Sequence, residues 1–182
     1  MSVADLVESN AATGLRQMLR LACGQAQLLV PIDVVREILE HGRLTVLPRT
    51  PDFLHGVMNL RGAVIPVVDL HARFGFGRAV VEKRSAIVVV EVPDSQGHDM
   101  LAMGLLVDAV FEVLDVESTA VEAVPPLGML VPPAFVAGMV NVRDSYACLL
   151  NLAHTLSPPE LARLIGQGQS QGQSQGHGQR AG

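Results

Sequence analysis

The side chains able to catalyse or to ligate a metal are few in this sequence, and their spacing does not assemble them. His41, His55, His71, His98, His154 and His177 never fall at the separation by which one short element presents two imidazoles to a metal. They read as surface or loop histidines. Cys23 and Cys148 lie far apart, and neither belongs to a Cys-x-x-Cys pair. Asp108 and Glu112 come nearest to a carboxylate pair for acid–base work. On a strand they stand two repeats apart, among apolar neighbours and without a partner base. Gly75-Phe76-Gly77 lacks the third glycine and the strand-to-helix setting of a nucleotide fingerprint, so it reads as a turn. Walker A and nucleophile-elbow motifs are absent from the sequence. The chain reads as a surface that binds rather than one that reacts, not an enzyme and with no cofactor.

Bulk properties narrow the partners. A net charge of −5 with 3% aromatic residues and no Trp gives neither a basic field nor stacking platforms, which argues against nucleic acid. No run approaches the roughly 18 apolar residues of a spanning helix, and Asp5 and Glu8 break the order of a signal peptide, so no direct membrane insertion is expected. Two distant cysteines suit free thiols in a reducing cytoplasm. The 182 residues make one domain, or two small ones sharing a core.

The elements that would carry a binding surface are short strands. Leu15–Leu21 and Gln25–Val30 read as an opening hairpin turning at Cys23-Gly24; Pro31 favours a helical turn running into a strand at Arg36–Leu39. After the connector Thr45–Pro51, the segment Gly56–Leu70 folds back on itself at Arg61-Gly62. Gly62 supplies the positive φ of a tight turn, and Arg61 is displayed at the bend. Pro66 marks the second arm as an edge or bulged strand. Ser85–Val92 reads as a buried strand, Met100–Val107 returns from it, Asp108-Ala109 interrupts, and Val110–Val116 resumes. A proline-rich connector, Ala123–Pro133, leads to arms Ala134–Asn141 and Ser145–Leu152 around the turn Val142-Arg143-Asp144. Ser157 as N-cap, Pro158 and Glu160 then open a C-terminal helix running to Ile165. The spacing of strands and turns argues for an all-β barrel or sandwich. Phe53-Leu-His-Gly-Val-Met-Asn-Leu-Arg61 is echoed by Ala134-Phe-Val-Ala-Gly-Met-Val-Asn-Val-Arg143, each followed by an apolar strand ending in Asp69-Leu70 or Asn151-Leu152, which two related small barrels would explain.

Together, Val35–Leu39, Pro48-Arg-Thr-Pro51, Asn59-Leu-Arg-Gly62, Ile65-Pro-Val-Val-Asp-Leu70, Gly104-Leu-Leu-Val-Asp108 and Val110–Leu114 resemble the CheW family, the adaptors of bacterial chemosensory arrays. The similarity covers Leu15 to Ile165. It implies an all-β fold of two five-stranded SH3-like barrels packed together around a hydrophobic groove, with short helical turns and a C-terminal helix. The organisation expected is a tail over 1–14, a CheW-like domain of two intertwined barrels over 15–165, and a disordered Gly/Gln/Ser tail over 166–182. The function implied is scaffolding in the cytoplasm, at membrane-associated arrays, between the tips of methyl-accepting chemoreceptors and a CheA-type histidine kinase. A twitching- or gliding-motility pathway is equally open. The resemblance places Glu37, Arg61, Gly104, Val110 and Val113 on the receptor face and Ile32 and Val35 on the kinase face. Gly104 would permit a helix to approach, and the valines would line the groove.

Overall fold

The computed structural model describes residues 14–94, 97–157 and 159–164. The expected N-terminal tail up to residue 13 and the Gly/Gln/Ser tail lie outside them. Ten strands dominate: β1 (Leu15–Cys23), β2 (Ala26–Pro31), β3 (Val35–Glu40), β4 (Leu54–Leu60), β5 (Ala63–Asp69), β6 (Ala86–Pro93), β7 (Met100–Val107), β8 (Ala109–Glu117), β9 (Val136–Val142) and β10 (Ser145–Leu150). A 3-10 turn, Ile32–Val34, joins β2 to β3, as Pro31 foretells. Helices are short: α1 (Leu70–Arg73), α2 (Leu152–Leu156) and α3 (159–164).

The strands form two five-stranded sheets, ordered β8-β1-β2-β10-β9 and β3-β6-β7-β5-β4. Each contains one parallel contact, β2 with β10 in the first and β5 with β7 in the second. The chain therefore leaves the first sheet after β2, builds the whole of the second, and returns at β8. Each sheet curls into an SH3-like barrel. The segment after β3 closes one barrel by pairing Thr45 with Val57 of β4, and the segment after β8 closes the other by pairing Glu122 with Met139 of β9. Both bridges exchange two backbone hydrogen bonds of 2.7 to 2.9 Å.

These closures explain the sequence echo. A Cβ at Gly56 would stand 2.7 Å from the Thr45 carbonyl oxygen, and one at Gly138 would stand 2.5 Å from Val121 Cγ1. Glycine is required where each closing segment crosses its hairpin. The echo continues at the far ends. Asp69 and Asn151 take their amide hydrogen bonds to the carbonyls of Phe53 and Phe135, and each then caps a helix through its side chain, α1 at Ala72 N and α2 at His154 N.

Two expectations change, for the Leu152 arm and for Pro66, and one, the helix start at Ser157, is extended. The arm expected to reach Leu152 stops at Leu150, because Asn151 starts α2. Ser157 ends α2 in a left-handed conformation, donating to Ala153 O, while its carbonyl accepts the Leu161 amide of α3. It thus joins two helices, with Pro158 and Ile165 outside the described residues. Pro66 does not mark an edge strand, since β5 lies between β4 and β7. The β7 ladder begins only at Val67, so Pro66 stands on the half of β5 paired to β4 alone, where its missing N–H breaks no β7 bond. A bulge does occur in the β4–β5 ladder, between Leu54 and Gly56.

One core spans both barrels. Leu19, Leu21, Leu28 and Val30 of the first meet Val88, Val90, Leu105 and Val107 of the second. Smaller clusters fill each barrel, around Met18, Leu29 and Val140 in the first and Val67, Ile87 and Leu106 in the second. The central strands thus bury both faces, one in the barrel and one between barrels. That is why 85–92 reads as continuously apolar rather than alternating.

Candidate functional site

Arg61 and Gly62 are the two central residues of a hairpin closed by the pair Leu60–Ala63, and both have positive φ, 52° and 86°. Such a turn matches the twist of its strands but is disfavoured for an arginine. Asn59 steadies it by accepting the Gly62 amide on Oδ1. The guanidinium projects from the bend with 80% of its side chain exposed, and Nη2 donates to Glu37 Oε1 of β3 at 3.1 Å. β3 and β4 are the outermost strands of the second sheet, so this ion pair spans the barrel's closing edges. An exposed pair of this kind contributes about 0–1 kcal/mol.

The first barrel repeats the device. Arg143 and Asp144 turn with φ of 49° and 65°, and Arg143 Nη2 reaches Glu112 Oε1 of β8 at 3.2 Å. Arg20 holds the other oxygen of Glu112 at 2.9 Å and lies over the Phe111 ring. The Arg20 hydrogen bond, with the charges of Arg20 and Arg143, draws the Glu112 carboxyl below its ordinary range.

The remaining receptor-face residues do not gather around Arg61. Val110 and Val113 share β8, in the other barrel, and across a bulge they pair with Leu21 and Leu19, two residues of one face of β1. Val110 packs against the common core, while Val113, beside Leu19, is 45% exposed. Gly104 is buried in β7, where a Cβ would come within 2.8 Å of Ile87 and 3.1 Å of Val67. The space beside it is filled by those side chains, so packing inside the second barrel accounts for this glycine. Ile32 and Val35 flank the crossing from β2 to β3, half-buried against the common core. Val110, Ile32 and Val35 therefore border one inter-barrel seam, while Glu37 and Arg61 form a separate charged rim.

Asp108 and Glu112 do not act as a pair. Glu112 is taken by two arginines. Asp108, at the β7–β8 corner, accepts the Gly24 amide at 2.6 Å and lies 2.8 Å from His71 Nε2 of α1. These groups floor an open cleft of about 410 Å³ between the barrels, rimmed by Phe76, Arg78, Val80 and Phe111. Sequence spacing gave no sign of this contact, because 37 residues separate His71 from Asp108. His41 and His55 also meet, Nε2 to Nε2 at 3.4 Å, with His55 Nδ1 3.8 Å from the wholly buried Asp69. Desolvation lowers the His55 pKa despite the opposing pull of Asp69. Among the described residues no three His, Cys, Asp or Glu side chains converge to hold a metal ion, and no helix is long and apolar enough to cross a membrane.

Two closed barrels with a shared core, displaying an arginine turn and an apolar seam, define a scaffold class of small β protein. The CheW-like domain model matches residues 17–161, and the chain belongs to that family of chemotaxis scaffold adaptors. It is 33% identical over 147 residues to a probable chemotaxis protein CheW of Rhizobium etli, covering 81% of this chain and 91% of that one. It is 30% identical over 138 residues to the protein PilI of Pseudomonas aeruginosa, covering 75% and 70% respectively. The crystal structure of the scaffolding protein TtCheW from Thermoanaerobacter tengcongensis superposes with a TM-score of 0.67 at 33% identity, over 75% of this chain and 84% of that one.

Proposed function

We propose that this protein is a non-catalytic adaptor that couples the cytoplasmic tips of chemoreceptors to a CheA-type histidine kinase. The observation that carries the reading is the exposed Arg61–Glu37 rim on a fold matched to the CheW-like family across nearly all described residues. Glu37 and Arg61, with Gly104, Val110 and Val113, belong to the receptor face in this reading, and Ile32 and Val35 to the kinase face. Gly104 then acts by permitting the packing of the second barrel rather than by contact. Individually weak contacts suffice where an array repeats them. The similarity to PilI supports a second reading, in which the same scaffold serves a divergent chemosensory pathway with another receptor or kinase.

Co-sedimentation with a receptor signalling fragment and the kinase tests both. Arg61→Glu is expected to lower the bound fraction several-fold while the circular dichroism spectrum is unchanged. The exchange Glu37→Arg with Arg61→Glu restores the ion pair with its polarity reversed. Recovery of binding in the double variant means that the pair braces the rim; continued loss means that Arg61 touches the partner. Unaltered assembly in Arg61→Glu removes Arg61 from the site. Capture of a kinase from a twitching-type system, with none from a flagellar one, favours the second reading.

A further inference from the structure

Burial of the common core stabilises the contact between the barrels through an energy that is itself non-directional, so directional contacts across the seam add an angular restraint to its packing. Directional contacts across the seam converge on one short element. α1 belongs to the second barrel, and two of its four residues, His71 and Arg73, reach elements of the first.

Arg73 is the more committed. Its side chain is only 12% exposed. Nε donates to Thr155 O at 3.0 Å and Nη2 to His154 O at 3.2 Å, both carbonyls in the last turn of α2. A cation is favoured there, since those carbonyls have no helical partner of their own. Nη2 also pairs with Glu160 of α3 at 3.0 Å. The guanidinium stands 4.2 Å from the ring centre of Phe53 and 5.3 Å from that of Phe135. Phe53 precedes β4 and Phe135 precedes β9, and they hold equivalent places in the two barrels. Each accepts the amide of the residue that caps the following helix. One side chain thus grips both copies of the repeat. α2 carries Thr155 where α1 carries Arg73, so the grip runs one way only.

His71 makes the second grip. Its Nε2 meets Asp108 at the corner where the chain returns to the first barrel, and Asp108 in turn accepts the amide of Gly24 in the β1–β2 turn. The two grips reach different elements of the first barrel, the β1–β2 turn and β8 corner on one hand and the C-terminal helices on the other. Two separated directional contacts restrain a rotation that one contact would allow.

We propose that α1 is the orienting clasp of the molecule, with Arg73 and His71 as positioning residues that fix the angle between the barrels and so the shape of the seam bordered by Ile32, Val35 and Val110. The consequence for partner binding rests on the adaptor reading; the orientation itself does not.

Spin labels at Arg43→Cys in the second barrel and Asp115→Cys in the first report the inter-barrel distance by pulsed electron resonance. Cys23 and Cys148 are buried, and burial raises both thiol pKa values, so they escape labelling at neutral pH. The expected result is one narrow distance in the otherwise unchanged protein. In Arg73→Met, which keeps the apolar stem without the guanidinium, the distribution shifts or broadens, and in His71→Phe with Arg73→Met it does so further. Arg73→Lys restores charge without the planar fork and is expected to recover the distance only in part. Asp108→Asn and Glu160→Gln disturb one grip each with little change of volume. They provide the same readout if Arg73→Met does not fold. An unchanged distribution in Asp108→Asn, Glu160→Gln and Arg73→Lys alike overturns the proposal, as does an unchanged one in a folded Arg73→Met. Where the seam is correctly shaped in only about a tenth of molecules, receptor and kinase affinity falls about tenfold. A shifted distance with undiminished binding leaves the clasp standing and counts against the adaptor reading instead.

Discussion

At the scale of single residues, the informative positions are those where a side chain sits against its own preference. Arg61 adopts a backbone conformation that favours Gly or Asn, at a cost of about 1–2 kcal/mol. Arg61→Gly is therefore expected to keep or raise the urea midpoint while lowering co-sedimentation with partners; a fall in both identifies the arginine as structural. Gly104→Ala behaves in the opposite way. The added methyl meets Ile87 and Val67 and is expected to cost about 1–3 kcal/mol by overpacking, read as a lower urea midpoint. Any loss of binding should then track the unfolded fraction. His55 gives a pH dependence. Its folded pKa lies below the ordinary 6.5, so the unfolded chain takes up the proton first as pH falls. The stability conferred by neutral His55 is complete above 6.5 and declines between 6.5 and its lowered folded value. In His55→Gln that part of the slope should vanish from urea midpoints measured across the window. Glu112, lowered from 4.5, adds a decline at more acid pH, through the disruption of its pairing with Arg20 and Arg143. The sequence displayed Arg61 at its turn, because Arg-Gly between apolar arms has few other readings. Its partner Glu37, like the meeting of His71 with Asp108, was not legible as a contact, since it depends on which strands end up neighbours.

At the scale of elements, hairpins and strands were plain from the alternation of apolar runs with Gly and Pro. The closing bridges were not, because Thr45 opens one proline-rich connector and Glu122 immediately precedes the other, each a single residue with no strand pattern of its own. Their trace in the sequence is indirect. The glycines of the Gly-x-x-Asn-x-Arg echo mark where the bridges pass. Gly138→Ala, whose Cβ would collide with Val121, is expected to open the first barrel along β9. Hydrogen exchange should show faster exchange at the Met139 and Glu122 amides, with the second barrel's protection retained. Equal loss in both barrels would mean that the bridges carry no local closure. Pro66 shows why a residue rule can mislead about an element: one strand changes from half-paired to fully paired within a single residue.

At the scale of the whole molecule, the barrels share the cluster around Leu21, Leu28, Val88 and Leu105, so neither keeps a complete core alone. Unfolding is expected to be a single transition. Exposure of Cys23 and Cys148, both in the common core and both on strands of the first barrel, to a thiol reagent should rise at the same urea concentration at which the circular dichroism signal of the whole chain is lost; a separate thiol midpoint would show a first barrel that opens independently. That the chain holds two related units was legible from the echo. That one is threaded through the other was not, because topology leaves no periodic mark.

The threading matters on the ribosome. β2 needs β10 on its open side, through the pairing of Gln27 with Ala147, whereas every strand of the second barrel lies between β2 and β8. At a synthesis rate of about 5–20 residues per second, the opening hairpin waits on the order of ten seconds with the apolar flank of Leu28, Leu29 and Val30 uncovered. The strands of the second barrel can pair during that wait, although their core is complete only with the first barrel in place. The part of the chain made first is thus finished last, and a nascent chain stalled before β8 would present paired second-barrel strands beside a hairpin in need of a chaperone.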